Sequence, residues 1–219
     1  GSQEGLVRVR NLASASKGGL AQVEREVEAA LLYPLLRWGD VQPFAAAPSA
    51  HLLLVQDPLT RRGLPESVLS EHYPRALSYL REFEVLLRAR AAYRRYFRPD
   101  SHVPFYSMYD IGPYTLSPWK VVWRRMDRRL GAAVVGPTPR PVIPQETCVL
   151  IAVEEEAEAH YLCALLNSAV LRYLLQGQSV QGGKSFGTPG MLAQVRLPTF
   201  QASDPLHRAL ALLSRQAHS

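Results

Sequence analysis

Four prolines between positions 99 and 118 (Pro99, Pro104, Pro113 and Pro118) constrain this chain more than any other feature. A proline inside a helix removes an amide proton and pushes its ring against the turn before it, so no helix continues through this stretch. Upstream, Leu77, Leu80, Glu84, Leu87 and Ala91 recur on one helical face, which predicts one long helix near residues 72–97 in which Glu84 alone breaks the apolar stripe. Downstream, residues 105–126 are expected to form strands and turns, with Trp119-Lys-Val-Val-Trp-Arg124 the best strand. Ala132 to Val135 and Cys148 to Val153 are two further apolar runs and read as neighbouring strands of one sheet.

The remaining segments are shorter. Leu6 to Leu12 alternates apolar and basic residues like a half-buried strand, and a Ser/Gly-rich loop follows over 13–19. Val23, Val27, Ala30 and Leu31 sit at helical spacing and predict a helix that Pro34 ends, after which Tyr33 to Val41 reads as a turn with one exposed Arg. His51 to Gln56 suits a buried strand. An acidic run, residues 154–158, opens a helix ending near Leu175, with Gly177 just beyond it. Residues 177–190 form a Gly-, Gln- and Ser-rich loop, residues 195–200 are strand-like, and Asp204 to His218 is helical. The expected class is therefore α+β, a small mixed β-sheet with flanking helices in a single domain of 219 residues. Gly1 and Ser2 have the look of a cloning scar, as expected of an excised fragment.

At 47% hydrophobic and 20% charged residues, the composition excludes disordered, collagen-like and disulfide-scaffold chains. No apolar run approaches the roughly 18 to 20 residues of a membrane span, and no signal segment opens the chain, so a soluble, cytoplasmic protein without membrane contact is expected. Cys148 and Cys163 both lie in apolar runs and read as reduced, buried thiols.

Charge is unevenly spread. The net charge is +6, yet residues 72–129 alone hold twelve Lys or Arg against five acids, which leaves the rest of the chain at −1. Tyr93, Tyr96, Tyr106, Tyr109, Tyr114, Trp119 and Trp123 are interleaved with those cations, the footprint expected where phosphates are neutralised. The plainer alternative is a solvated helix face beside core aromatics. Of the 25 basic residues 22 are Arg, the side chain that can fork onto guanine.

Self-contained chemistry is hard to find. The run from Gly177 to Lys184-Ser185 fails as a phosphate loop, because Gln178 stands where the first Gly must be, a helix precedes it, and Gly and Pro follow. No Gly-x-Ser-x-Gly elbow or His-x-x-x-His pair occurs, and His160 with Cys163 reads as a core pair. No metal ligands, resident cofactor or catalytic residues are expected in these residues.

The segment Phe105-Tyr-Ser-Met-Tyr-Asp-Ile-Gly-Pro-Tyr-Thr-Leu-Ser-Pro-Trp-Lys-Val-Val-Trp-Arg124 resembles the TaqI-like target-recognition (specificity) domain that DNA adenine methyltransferases of restriction-modification systems carry at their C-terminus. Tyr33-Pro34-Leu-Leu-Arg37-x-x-Asp40-Val41, Tyr161-Leu-Cys-Ala-Leu-Leu-Asn167-Ser168, and residues 183–190 running into Leu197-Pro198 are similar to the same family. The helix and Gly-rich loop also resemble specificity subunits of multi-subunit restriction enzymes. Leu116 and Trp119 depart from the Phe and Tyr of the pattern, and the Asp/Asn-Pro-Pro-Tyr/Phe motif that places a flipped adenine is absent. The resemblance thus implies a C-terminal fragment whose S-adenosylmethionine-dependent catalytic domain lies in a separate N-terminal partner, and whose ligand is double-stranded DNA.

It further implies phosphate contacts from Arg94, Arg95, Lys120, Arg124, Arg125 and Lys184, and base or groove contacts from Arg37, Tyr109, Tyr114 and Ser185, with 177–190 as the recognition loop. Strand alternation puts Lys120 opposite Trp119 and Trp123, so if the tryptophans are core, Lys120 is expected at the surface. Two other classes remain: a docking domain for a methylase or nuclease subunit that uses the Arg81 to Arg98 face, and a stand-alone hydrolase or nuclease.

Overall fold

The computed structural model describes residues 5–12, 20–97, 102–176, 192 and 195–218. It is α+β, with small sheets of two or three strands and short helices. The chain gathers into two compact units: residues 1–32 with 52–113, and residues 33–51 with 114–219. Among the described residues no helix is long and apolar enough to cross a membrane.

In the first unit, β1 (Leu6–Arg10) pairs antiparallel with β2 (Glu24–Glu28). The helix expected there is a strand, because its periodic Val23 and Val27 coexist with a charge alternation that suits β1. Arg8 faces Glu26 and Arg10 faces Glu24 across the ladder, and opposite charges at facing positions favour pairing. A single 3-10 turn at Ala29–Leu31 follows.

The long helix expected over 72–97 is instead broken into short ones. These are α1 (Glu66–His72), α2 (Pro74–Arg81), α3 (Glu84–Ala89) and α4 (Ala91–Tyr96). Pro74 has no amide to continue α1 and so starts α2, whose exposed amides find a partner outside the helix: the Glu28 carboxylate accepts from Arg75 N and Ala76 N at 2.9 and 2.8 Å. The break at Arg90 has a different cause. Its guanidinium leaves the helix surface to donate to the carbonyls of Leu87, Phe105 and Ser107. Leu69, Ala76, Leu77 and Leu80 pack with Val27, Leu31, Val55, Phe105 and Tyr106 as this unit's core.

The second unit is built on β9 (Trp119–Arg124), flanked by β10 (Ala132–Val135) and β12 (Cys148–Val153), all antiparallel. The two runs expected to be neighbours share the sheet but lie on either side of β9. Shorter strands are β4 (Val41–Gln42), β5 (Ala45–Ala46) and, in the first unit, β7 (Gln56–Asp57) and β8 (Arg62–Gly63). A further sheet orders β11 (Ile143–Pro144), β3 (Leu32–Leu36) and β6 (Ala50–Leu53), and β3 and β6 carry the chain from one unit into the other. Tyr33 to Val41, expected to be a turn, thus begins as a strand and ends in a 3-10 turn at Trp38–Asp40.

One side of β9 presents Val121 and Trp123 to the helix α5 (Glu156–Asn167), through Ala159, Cys163 and Leu166. The other side presents Val122 to Leu36, Val41, Ala133, Val135, Val142 and Cys148. Helix α6 (Ala169–Gln176) follows Ser168, and α7 (Pro205–Ala217) is capped by Asp204, whose carboxylate accepts from Leu206 N and His207 N. Residues 195–200 form no strand. Both cysteines are buried free thiols.

The motif Asn167-Ser168 has a structural role. The Asn167 side chain accepts from Ala132 N at 2.9 Å and donates to Ala132 O at 2.8 Å, replacing a strand partner at the sheet edge, while Ser168 Oγ accepts from Leu171 N.

Candidate nucleic-acid interface

The segment 37–40 is organised by one carboxylate. Asp40 accepts from Arg37 N at 2.7 Å and from Ser49 Oγ at 2.6 Å, which closes the 3-10 turn and explains the three-residue spacing of Arg37 and Asp40. Burial alone would raise the Asp40 carboxyl, but the bonds from Ser49 and Arg37, with the Arg37 charge, outweigh it and hold Asp40 below the ordinary carboxylate range. Arg37 donates to Ser49 Oγ through Nε and Nη2, so its guanidinium is held against the turn, half-buried.

Trp38, on that turn, carries Arg124. The Arg124 guanidinium lies 4.1 Å from the Trp38 ring centre, donates from Nε to Trp38 O at 3.0 Å, and donates from Nη1 to Asp127 Oδ2 at 3.1 Å. The indole Nε1 in turn donates to Met126 O at 2.7 Å. Arg124 is 14% exposed and is therefore a pillar of the site, with its charge already shared between Asp127 and the ring.

Beyond that pillar the turn 125–129 is rich in free cations. Arg125, Arg128 and Arg129 are exposed, and no ion pair among the described residues includes them. Arg128 and Arg129, with Arg124, Asp127, Pro43, Gly131 and Arg172, border a cleft of ≈ 450 Å³, while Arg125, next in the chain to Arg124, does not line it. A side chain at Gly131 would meet Pro43 Cγ at 2.8 Å, so the cleft wall requires glycine there. Arg172 donates from Nη2 to Asn167 O at 2.6 Å, while its buried Nε has no hydrogen-bond partner among the described residues. Four arginines against one carboxylate line this concavity, which suits a polyanion.

Lys120 is a correction. It is 1% exposed, and its Nζ donates to Ser117 O at 2.6 Å. Both faces of β9 are covered, so alternation moves Lys120 from one packed layer to another and does not bring it to solvent. Burial draws its ammonium down to about 8.

The first unit gathers other expected residues. Arg94, Arg95 and Tyr109 are exposed, with Tyr109 stacked on Tyr96 at 3.5 Å between ring centres and Arg95 over Tyr96 at 5.4 Å. The neighbouring Tyr96, then partial loss of solvent and Asp110, raise the Tyr109 hydroxyl above its ordinary value. Tyr114 is half-buried in the 3-10 turn Pro113–Leu116 of the second unit. Lys184, Ser185 and the whole 177–190 loop lie outside the described residues.

Of the expected residues, the fold brings Arg37, Arg124 and Arg125 to one region, together with Trp38, Asp127 and Arg172, which the sequence did not single out. Arg124 and Asp127 at three-residue spacing beyond a strand were the available signal. His160 is a core residue, with Nδ1 3.2 Å from Ser214 Oγ. Burial, reinforced by the neighbouring His218, draws its imidazole down to about 4. Among the described residues no three His, Cys, Asp or Glu side chains gather as a metal site.

No protein-family model matches the chain. It is 27% identical over 156 residues to the type II methyltransferase M.NspV of Nostoc sp., a match that takes in 70% of this chain and 31% of that protein. The chain is thereby related to a methyltransferase, of which it matches about a third of the length.

Proposed function

We propose that this chain is the target-recognition region of an adenine-specific DNA methyltransferase of a restriction-modification system, binding double-stranded DNA for a separate catalytic domain that uses S-adenosylmethionine. The observation that carries the reading is the arginine cleft of the second unit and the turn beside it, where Arg124 is fixed by Trp38 and Asp127 while Arg125, Arg128 and Arg129 are exposed and in no ion pair of the described residues. Similarity to M.NspV over 70% of the chain supports the same assignment.

The division of labour follows from exposure. Arg125, Arg128 and Arg129 meet phosphates, which positions the duplex without reading it. Arg37, on the turn that carries Trp38, and Tyr114 serve base or groove contacts, with Ser185 of the Gly-rich loop supplying a further one and Lys184 a further phosphate contact. Ser185→Ala should alter the ranking of affinities across duplexes of different sequence while leaving affinity for a random-sequence duplex unchanged, and equal loss on every duplex would remove Ser185 from base contact.

Fluorescence anisotropy of a labelled random-sequence duplex across a salt titration tests the reading. The logarithm of the binding constant is expected to fall linearly with the logarithm of salt concentration, as counterion release requires. A chain that binds no duplex at low salt, but does bind a methyltransferase subunit, is a docking domain instead.

A further inference from the structure

We propose that the Arg95–Tyr96–Tyr109 stack of the first unit is a platform for a single unpaired nucleobase, so that this unit prefers DNA in which a base has left the helix. The inference deepens the DNA-binding reading but stands on residues of the other unit.

Two exposed tyrosines rarely lie parallel at contact distance without something to hold them. Here the rings are 3.5 Å apart at 9°, with Tyr96 44% and Tyr109 51% exposed. The arrangement is built from below. Arg90 donates to Phe105 O and Ser107 O, and the Tyr93 hydroxyl donates to Val103 O at 3.0 Å, which fastens α4 to the segment that carries Tyr109. Burial lowers the Arg90 pKa, the mark of a guanidinium enclosed by those carbonyls. Asp110, at φ 60°, turns the chain sharply just after Tyr109.

Tyr96 is occupied by Tyr109 and by Arg95, 5.4 Å from its ring centre. Tyr109 is 51% exposed, and among the described residues no further ring or guanidinium lies over its other face. Arg94, exposed and outside every ion pair of the described residues, stands on the same short helix. An open aromatic face beside unpaired cations matches a flat base attached to a phosphodiester. A paired base does not offer its face to such a platform, whereas an extruded or bulged one does.

The test compares three labelled probes by anisotropy with the full chain. These are a matched duplex, the same duplex with one bulged nucleotide, and that duplex with the bulged nucleotide made abasic. Stacking of one base predicts about tenfold tighter binding of the bulged probe than of the other two. Tyr109→Ala should abolish that preference and Tyr109→Phe should keep it, with unchanged thermal unfolding in both. Equal affinity for all three probes overturns the inference, as does a preference that the abasic probe shares or that Tyr109→Ala retains. Failure to bind the matched duplex alone counts against the arginine cleft. A Tyr109-dependent bulge preference would survive that result, and failure with every probe removes both readings.

Discussion

The arginines of the first unit and those of the second occupy one basic stretch of sequence, yet they differ in what they face. In the helices α1 to α3, Arg81 pairs with Glu66, Arg88 with Glu84 at 2.8 Å, and the Glu82 carboxylate takes Arg25 at 2.8 Å. Arg90 is spent on three carbonyls. On the turn after β9, the pair of Arg124 with Asp127 supports three exposed arginines that are in no ion pair of the described residues. Charge density along a chain therefore says little about where a polyanion binds. The pattern of carboxylates that already answer the cations decides it.

The largest expected effect separates the units by acid stability. His160 is neutral in the fold, so the unfolded chain takes up its proton near pH 6.5 while the folded chain resists until about 4. Its contribution is complete above pH 6.5 and is lost as pH falls towards 4, a change of about 3 kcal/mol. All three tryptophans, Trp38, Trp119 and Trp123, lie in the second unit, so denaturation followed by tryptophan fluorescence reports that unit alone. His160→Gln should flatten this pH dependence. An unchanged acid limb would mean that His160 is solvated.

A smaller effect is expected from the pillar. Trp38→Ala removes the ring beneath Arg124 and its bond to Met126 O, and should destabilise the second unit by about 1 to 2 kcal/mol in urea unfolding. Duplex affinity should fall with it, because Arg124 no longer holds the turn. Loss of stability without loss of affinity would detach the pillar from binding.

The smallest prediction reverses the comparison. Glu84→Gln frees Arg88 on the exposed face of α3 at a stability cost of about 0.5 kcal/mol. If pairing is what silences the helix arginines, the variant should bind duplex slightly more tightly at low salt, with a salt slope steeper by up to about 0.9. An unaltered slope would place α3 away from the DNA.

Residues that answer to local rules were legible in the sequence. The central strand Trp119–Arg124, the start of α7 at Asp204 and the acidic opening of α5 follow alternation, capping and charge at a helix N-terminus. Residues governed by distant partners were not. Glu24 to Glu28 looked helical until β1 supplied Arg8 and Arg10 opposite its glutamates, and α2 begins where Glu28, 47 residues away from Arg75, can cap it. Lys120 was misplaced because alternation predicts which face a side chain takes and not whether that face is covered.

The same distinction holds at the site. The basic block pointed to Arg124 and Arg125, and the fold added Trp38, 86 residues away from Arg124, whose hydrogen bond and ring no local pattern announces. Spacing could suggest Arg124 with Asp127 as a pair, but not that the pair would leave Arg125, Arg128 and Arg129 facing outward.

The central claim is that unpaired arginines on the turn, and not the paired arginines of the helices, hold DNA. Its most direct test is the salt dependence of duplex binding by two variants, Arg125→Ala/Arg128→Ala/Arg129→Ala and Arg81→Ala/Arg88→Ala, measured beside the unaltered chain. The turn variant should lose about 2 to 3 from the slope of log binding constant against log salt, and the helix variant should match the unaltered chain. A helix variant that loses as much slope as the turn variant would contradict the account.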